Sequence, residues 1–174
     1  MPSDVPAPLH LVESFLNSVD VETGGDDLVE PDRFRRWLRD HDRPAAVTGE
    51  DLALARALRT ELRAEAAGHH DGEPRDHRAL DRLAAKIPLV ATFTDTGATP
   101  APTGTGVTRV LGEILAAVVL ASHDGTWRRV KVCRATDCRY VYYDGSRNSS
   151  RRWCSMRVCG NRAKTRAYRQ RAAT

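Results

Sequence analysis

The stretch CRATDCRYVYYDGSRNSSRRWCSMRVCG, residues 133–160, holds all four cysteines of the chain. They fall as Cys133-x4-Cys138 and Cys154-x4-Cys159, with fifteen residues between the pairs. Two thiolate pairs joined by a short ribbon fill the tetrahedral shell of one zinc ion and leave no open position for a catalytic water. The spacing therefore predicts one structural Zn2+ held by Cys133, Cys138, Cys154 and Cys159. Alternating side chains and the Asp144-Gly145 dipeptide predict a β-hairpin over residues 139–153 that returns the chain to Cys154. Ser155 is placed to cap a helix with Cys159 in its first turn. Knuckle, hairpin and ligand-bearing helix together predict a treble clef. Such a module is too small to fold on apolar burial alone, so metal binding must supply much of its folding free energy.

Charge divides the chain at the same place. Residues 128–174 carry 14 Lys/Arg against two Asp/Glu, which leaves 13 against 21 in residues 1–127. A basic module next to an acidic one predicts two domains with different partners, 1–127 and 128–174. The N-terminus lacks a basic leader segment and Glu13 interrupts its apolar stretch, so no secretory signal is expected. The longest apolar run, residues 114–121, is far short of a membrane span. The reading is a cytoplasmic protein without a membrane partner. Thiols stay reduced in that compartment, which favours metal over disulfides.

Working outward to the N-terminus, helical patterning recurs. Leu9, Val12, Phe15 and Leu16 predict a helix over 8–18. Pro31 opens a second, with Phe34, Trp37 and Leu38 on one face, ending before Pro44. Thr48 and Asp51 form a capping box ahead of the Leu54, Leu58 and Leu62 stripe, and Gly68 ends that helix. Asp76 is placed to cap a fourth, closed by Pro88. Residues 89–94, LVATFT, predict a strand, residues 96–106 a flexible loop, and residues 107–122 the most apolar helix, the centre of the core. Gly125 then turns the chain into a strand over 127–132. The expected fold class is α+β: a mostly helical N-terminal domain with a small β element, followed by the treble-clef finger.

The run RRWCSMRVCGNRAK, residues 151–164, resembles the signature of the CGNR zinc-finger family, and YYDGSRN, residues 142–148, resembles its hairpin. LHLVESFLNSVD, residues 9–20, is similar to the opening of the ABATE domain that accompanies this finger. The resemblance implies that the four cysteines are the zinc ligands and that Gly160, Asn161 and Arg162 complete the namesake tetrapeptide. It implies a stress-responsive transcription regulator.

The basic residues support a polyanion partner independently. On a helix after Cys159, Arg162, Arg166 and Arg169 share a face, and Arg157, Lys164 and Arg171 line its neighbour. Arg147, Arg151 and Arg152 on the hairpin are placed to clamp a phosphate backbone. Arginine suits bidentate contact with guanine or phosphate. DNA is the expected partner. Tyr140, Tyr142, Tyr143 and Trp153 leave RNA or single strands open as the alternative, through stacking, although they equally suit a small hairpin core. A module that binds an acidic protein remains a further alternative. All six histidines lie at or before His123, outside the module, so no histidine-centred nuclease site is expected there. His69-His70-Asp71 and His10 near Glu13 read as solvated, and the N-terminal domain shows no catalytic constellation. The chain is expected to be no enzyme. Its acidic domain is assigned sensing of a small-molecule effector, homodimerisation, or both. Opposite charges further predict that the acidic domain docks on the basic module and competes with DNA.

Overall fold

The computed structural model describes residues 5–72, 75–95 and 97–172. A 3-10 turn, Ala7–Leu9, leads into α1, His10–Leu16. α2, Pro31–Asp40, starts on Pro31 as predicted, and α3, Gly49–Gly68, is the longest helix. The capping box at its start is complete: Asp51 N–H donates to Thr48 Oγ1 and Thr48 N–H to Asp51 Oδ2, at 3.1 and 2.9 Å. α4, Arg78–Ala84, is short and buries no residue fully; Asp76 accepts from the Arg78 N–H beside its start. α5, Gly106–His123, is long and apolar enough to cross a membrane, yet its inner face forms the middle of the protein core.

Packing explains the helix pattern. Phe15, Leu16, Phe34, Leu38, Leu58, Leu62, Leu111 and Ile114 are fully buried in one cluster drawn from α1, α2, α3 and α5. Each such side chain contributes about 1.5–3 kcal/mol of burial free energy. Trp37 meets Phe15 edge-on at 5.9 Å between centroids, a core role. The 17–30 loop is held by a buried Arg59, which grips Asp26 with both terminal nitrogens at 2.7 and 2.8 Å and donates to Ser18 Oγ.

The β structure differs from expectation in three places. Residues 97–102, expected as flexible loop, form strand β2, Gly97–Pro102, antiparallel to β1, Leu89–Thr94; Thr96 lies outside the described residues. The prolines that suggested a loop sit opposite Leu89 and Ala91, at positions where the missing N–H costs no hydrogen bond to β1. The strand expected over 127–132 begins as a 3-10 turn, Thr126–Arg129, in which Trp127 is buried; only β3, Val130–Val132, is extended. Finally, β3 pairs with β4, Val141–Tyr143, across the first cysteine pair, so the ribbon is the knuckle itself. Residues 144–153 form an irregular loop rather than the second arm of a hairpin.

The β3–β4 ribbon is welded to the helical domain. Val130, Val132 and Val141 belong to the main hydrophobic cluster. Along the outer edge of β3, ring nitrogens of His69 and His70 bond the carbonyls of Val130 and Val132 at 2.8 and 2.7 Å. Along the outer edge of β4, Asn17 both donates to Val141 O and accepts from Val141 N–H, at 2.8 and 2.7 Å. His69 and His70 thus close the end of a sheet instead of lying in a solvated loop. Burial lowers both histidine pKa values, against the raising effect of these bonds.

Candidate metal centre and nucleic-acid interface

The four cysteine sulfurs all lie within 4.8 Å of one another. Two of their separations, Cys138 to Cys154 and Cys154 to Cys159, are both 3.7 Å. A tetrahedron with Zn–S bonds of about 2.3 Å has edges of about 3.8 Å, so the donor set fits one zinc ion closely. Cys133 and Cys159 are buried, Cys138 and Cys154 half-buried. Ionisation points the same way. Burial opposes the Cys133 thiolate, but backbone N–H groups of Cys154 and Ala135 outweigh it and bring its pKa down. Burial and the neighbouring Cys133 charge then push Cys154 up, and burial raises Cys159 to about 11. Protein groups favour the Cys133 thiolate and oppose those of Cys154 and Cys159; a divalent cation stabilises the thiolate form of its ligands. The centre takes one structural Zn2+, which ties the knuckle to the following helix.

Local sequence builds each half of the centre. In the knuckle, Cys138 and Arg139 N–H both donate to Ala135 O at 3.0 Å, and Arg139 takes a left-handed φ of 55°. Arg63 reaches from α3 to the Arg139 carbonyl at 2.8 Å and anchors this turn. In the second half, Ser155 Oγ caps Val158 N–H as predicted, and Met156–Gly160 is a single π-helical turn leading into α6, Asn161–Ala172. The wide turn carries Cys159.

The namesake tetrapeptide gains a physical reading. Cys159 is a ligand. At Gly160 a Cβ would come within 2.7 Å of Met156 Sδ, the tip of an exposed and flexible side chain that must shift to admit it, and 3.3 Å of the Trp153 ring. Asn161 Nδ2 donates to the Arg157 carbonyl at 3.0 Å. Arg162 reaches Asp137 of the knuckle at 3.4 Å and Glu22 of the acidic domain at 2.8 Å.

Asp144 organises the loop between the cysteine pairs, a role the turn reading missed. Its side chain is fully buried beside Lys131, whose ammonium donates to it at 2.9 Å. It also accepts from Ser146 N–H, Ser146 Oγ and Arg151 N–H. Burial opposes the charge, but these donors win and hold the carboxyl down to about 2. An acid followed by a small hydroxyl two residues later signals such a loop, because the pair closes a side-chain turn.

The predicted nucleic-acid contacts separate into two sets. Arg147, Arg152, Arg157, Lys164 and Arg169 are exposed, as is Arg171, and none forms an ion pair among the described residues. Arg151 is half-buried, donates to Cys154 O and lies over the Tyr142 ring, while Arg162 and Arg166 share Asp137. A shallow groove of about 530 Å³ runs along Arg157, Asn161, Arg162, Thr165, Arg166 and Arg169. α6 buries none of its twelve residues. Of the four aromatic residues considered for stacking, Tyr142 is buried, Tyr143 packs on the main core, Trp153 packs on the cysteine cluster, and Tyr140 is exposed, as is Tyr168 on α6, which the sequence reading did not consider.

The model of the CGNR zinc finger matches residues 129–172, and that of the ABATE family, described as "Putative stress-induced transcription regulator", matches residues 9–134. The two overlap at the welded ribbon. No curated protein matches the chain.

Proposed function

The chain belongs to the ABATE family, and from that premise we propose that it is a DNA-binding transcription regulator of the cytoplasm whose zinc module makes the contact. One observation carries the reading: α6 is a twelve-residue helix that buries none of its residues fully and displays Lys164, Arg169 and Arg171 without an ion-pair partner among the described residues. A helix this short, polar on every side, is marginal in isolation. A polyanion supplies what it lacks. At about 18 Å it suits the major groove of duplex DNA. Arg157, Lys164, Arg166 and Arg169 then face bases and phosphates, and Arg147 and Arg152 approach the flanking backbone. In this reading zinc is structural, holding the root of α6 in place, and the module binds rather than catalyses.

Duplex DNA is favoured over single strands because Tyr142, Tyr143 and Trp153 pack against the protein, which leaves only Tyr140 and Tyr168 of the module's described aromatic rings exposed for stacking. The acidic domain modulates the contact through Glu22, which holds Arg162 in the free protein. An effector fits a cavity of about 480 Å³ bounded by Glu65, His69, Arg75, His77 and Trp127. His69 links that cavity to the ribbon through Val130.

The test is binding of the zinc-loaded full chain to a duplex oligonucleotide over a salt series. Neutralising six phosphates gives a log–log slope of about −5. Arg166→Ala with Arg169→Ala is expected to flatten the slope by about 2 without loss of zinc. A response that does not depend on salt sinks the proposal. Tighter binding to single strands than to duplex moves the partner to RNA or unpaired DNA.

A further inference from the structure

The two ribbons of this protein are finished differently. The outer edges of β3 and β4 receive side chains from the helical domain: His69 and His70 on one, Asn17 on the other. Among the described residues, no side chain of the helical domain bonds the outer edge of β1 in the β1–β2 hairpin in this way. Thr103 N–H donates to Pro88 O at 3.2 Å, which fixes 88 and 103 as a hydrogen-bonded pair. Pairs alternate along an antiparallel ladder, so 90, 92 and 94 bond to 101, 99 and 97. The backbone groups of 89, 91 and 93 on β1, and of 98, 100 and 102 on β2, therefore point outward. On β2 two of those three positions are Pro100 and Pro102, which have no N–H to offer. α5 also packs on β2, with Pro102 and Leu89 against Gly112. On β1 the outward positions are Leu89, Ala91 and Phe93, all with N–H groups. The strand LVATFT carries no charge, proline or glycine, the devices that protect an edge from pairing. Five of its six residues are exposed, and Phe93 is 82% exposed, whereas Phe15 and Phe34 are fully buried.

We propose that β1 is a homodimer edge, at which a second copy of this chain pairs its own β1 antiparallel about Ala91. The occupant follows from the geometry of the strand. Two-fold pairing sets Ala91 against Ala91 and Leu89 against Phe93 of the second copy. Outward donors then meet outward acceptors, and an exposed aromatic ring meets an aliphatic side chain on the same face. Two two-stranded ribbons, each marginal alone, become one four-stranded sheet in the order β2-β1-β1-β2. Both outer edges of that sheet are the proline-bearing β2 strands. Assembly therefore stops at two copies, where an arbitrary peptide strand on β1 would leave a fresh edge. The pairing requires no DNA and holds whether or not the zinc module binds it.

Sedimentation of the zinc-loaded full chain over a concentration series tests this, together with amide hydrogen exchange. The chain is expected at twice its 19.2 kDa mass. The amides of Ala91 and Phe93 are expected to exchange at least tenfold more slowly in the dimer than at high dilution, while Val90 and Thr92 stay protected in both. Ala91→Pro removes an outward N–H without touching the hairpin's own bonds, and is expected to weaken dimerisation at least tenfold. Phe93→Lys alters only an exposed side chain and decides the matter should Ala91→Pro misfold; it too is expected to give a monomer with unchanged zinc content. A wild-type chain that remains at 19.2 kDa assigns the edge to a foreign strand and overturns the proposal. So does a dimer whose Ala91 and Phe93 amides exchange freely.

Discussion

The helical domain and the cysteine module solve the same problem with different means. The first closes around a broad apolar cluster in which Phe15, Phe34, Leu58, Leu62 and Ile114 are fully buried. The second has a small cluster of its own, Cys133, Ala135, Tyr142 and Cys159, with Cys138, Trp153 and Cys154 against it. Its rigidity comes from four sulfurs around one ion and from the buried Lys131–Asp144 pair. Burial is spread over many residues, so the loss of one weakens the domain without abolishing it. A metal centre concentrates the free energy at a point. The difference teaches where each region is fragile, and also how they meet: the β3–β4 ribbon belongs to both, apolar on the helical side and metal-bearing at its tip.

The comparison breaks most completely at the metal. Cys154→Ser is expected to release zinc and melt the chain beyond the ribbon, since structural zinc sites carry about 10–16 kcal/mol of apparent binding free energy. Metal analysis and helical signal check this, and the α1–α5 core is expected to survive. Asp144→Ala comes next. Removing one partner of a buried ion pair costs about 3–5 kcal/mol, here expected in the module and read as weaker zinc affinity. Leu58→Ala costs about 2–5 kcal/mol through its cavity, lowers the thermal midpoint of the helical domain, and leaves one zinc per chain. Glu22→Gln has the smallest effect. It leaves the melting temperature unchanged and raises DNA affinity by less than tenfold, because Arg162 loses a competing partner.

Acid separates the two polar devices of the module. Asp144 sits at about 2 against an ordinary 3.8, so its contribution is fully present above 3.8 and lost as pH falls through 2. Zinc retention requires thiolates and fails at higher pH. Release of metal is therefore expected well above pH 4, steeply, with Asp144 still charged. Retention of zinc down to pH 3 contradicts this assignment.

Much of this was legible in the sequence where a local pattern has one physical meaning. The helix stripes, the Thr48 capping box, the Ser155 cap and the cysteine pairs all lie within a few residues of their partners. The misread parts depend on distant ones. Residues 97–102 form a strand because prolines at alternate positions leave the inner ladder intact, which becomes visible only once the register with β1 is known. His69 and His70 looked solvated beside their glycines, yet they meet carbonyls more than sixty residues away. Asn17 carries no signal at all of its pairing with Val141. Asp144 and Gly145 suggested a turn between strands; burial beside Lys131 made Asp144 the anchor of a loop instead.

The central claim is that the metal holds the cationic helix in position to bind duplex DNA. Its most direct test follows DNA affinity of the full chain as zinc is chelated and then restored stoichiometrically. The account predicts that binding falls with loss of the ion and returns at one equivalent per chain, while the signal of the α1–α5 core stays constant. A metal-free chain that binds duplex with undiminished affinity and the same salt slope contradicts it.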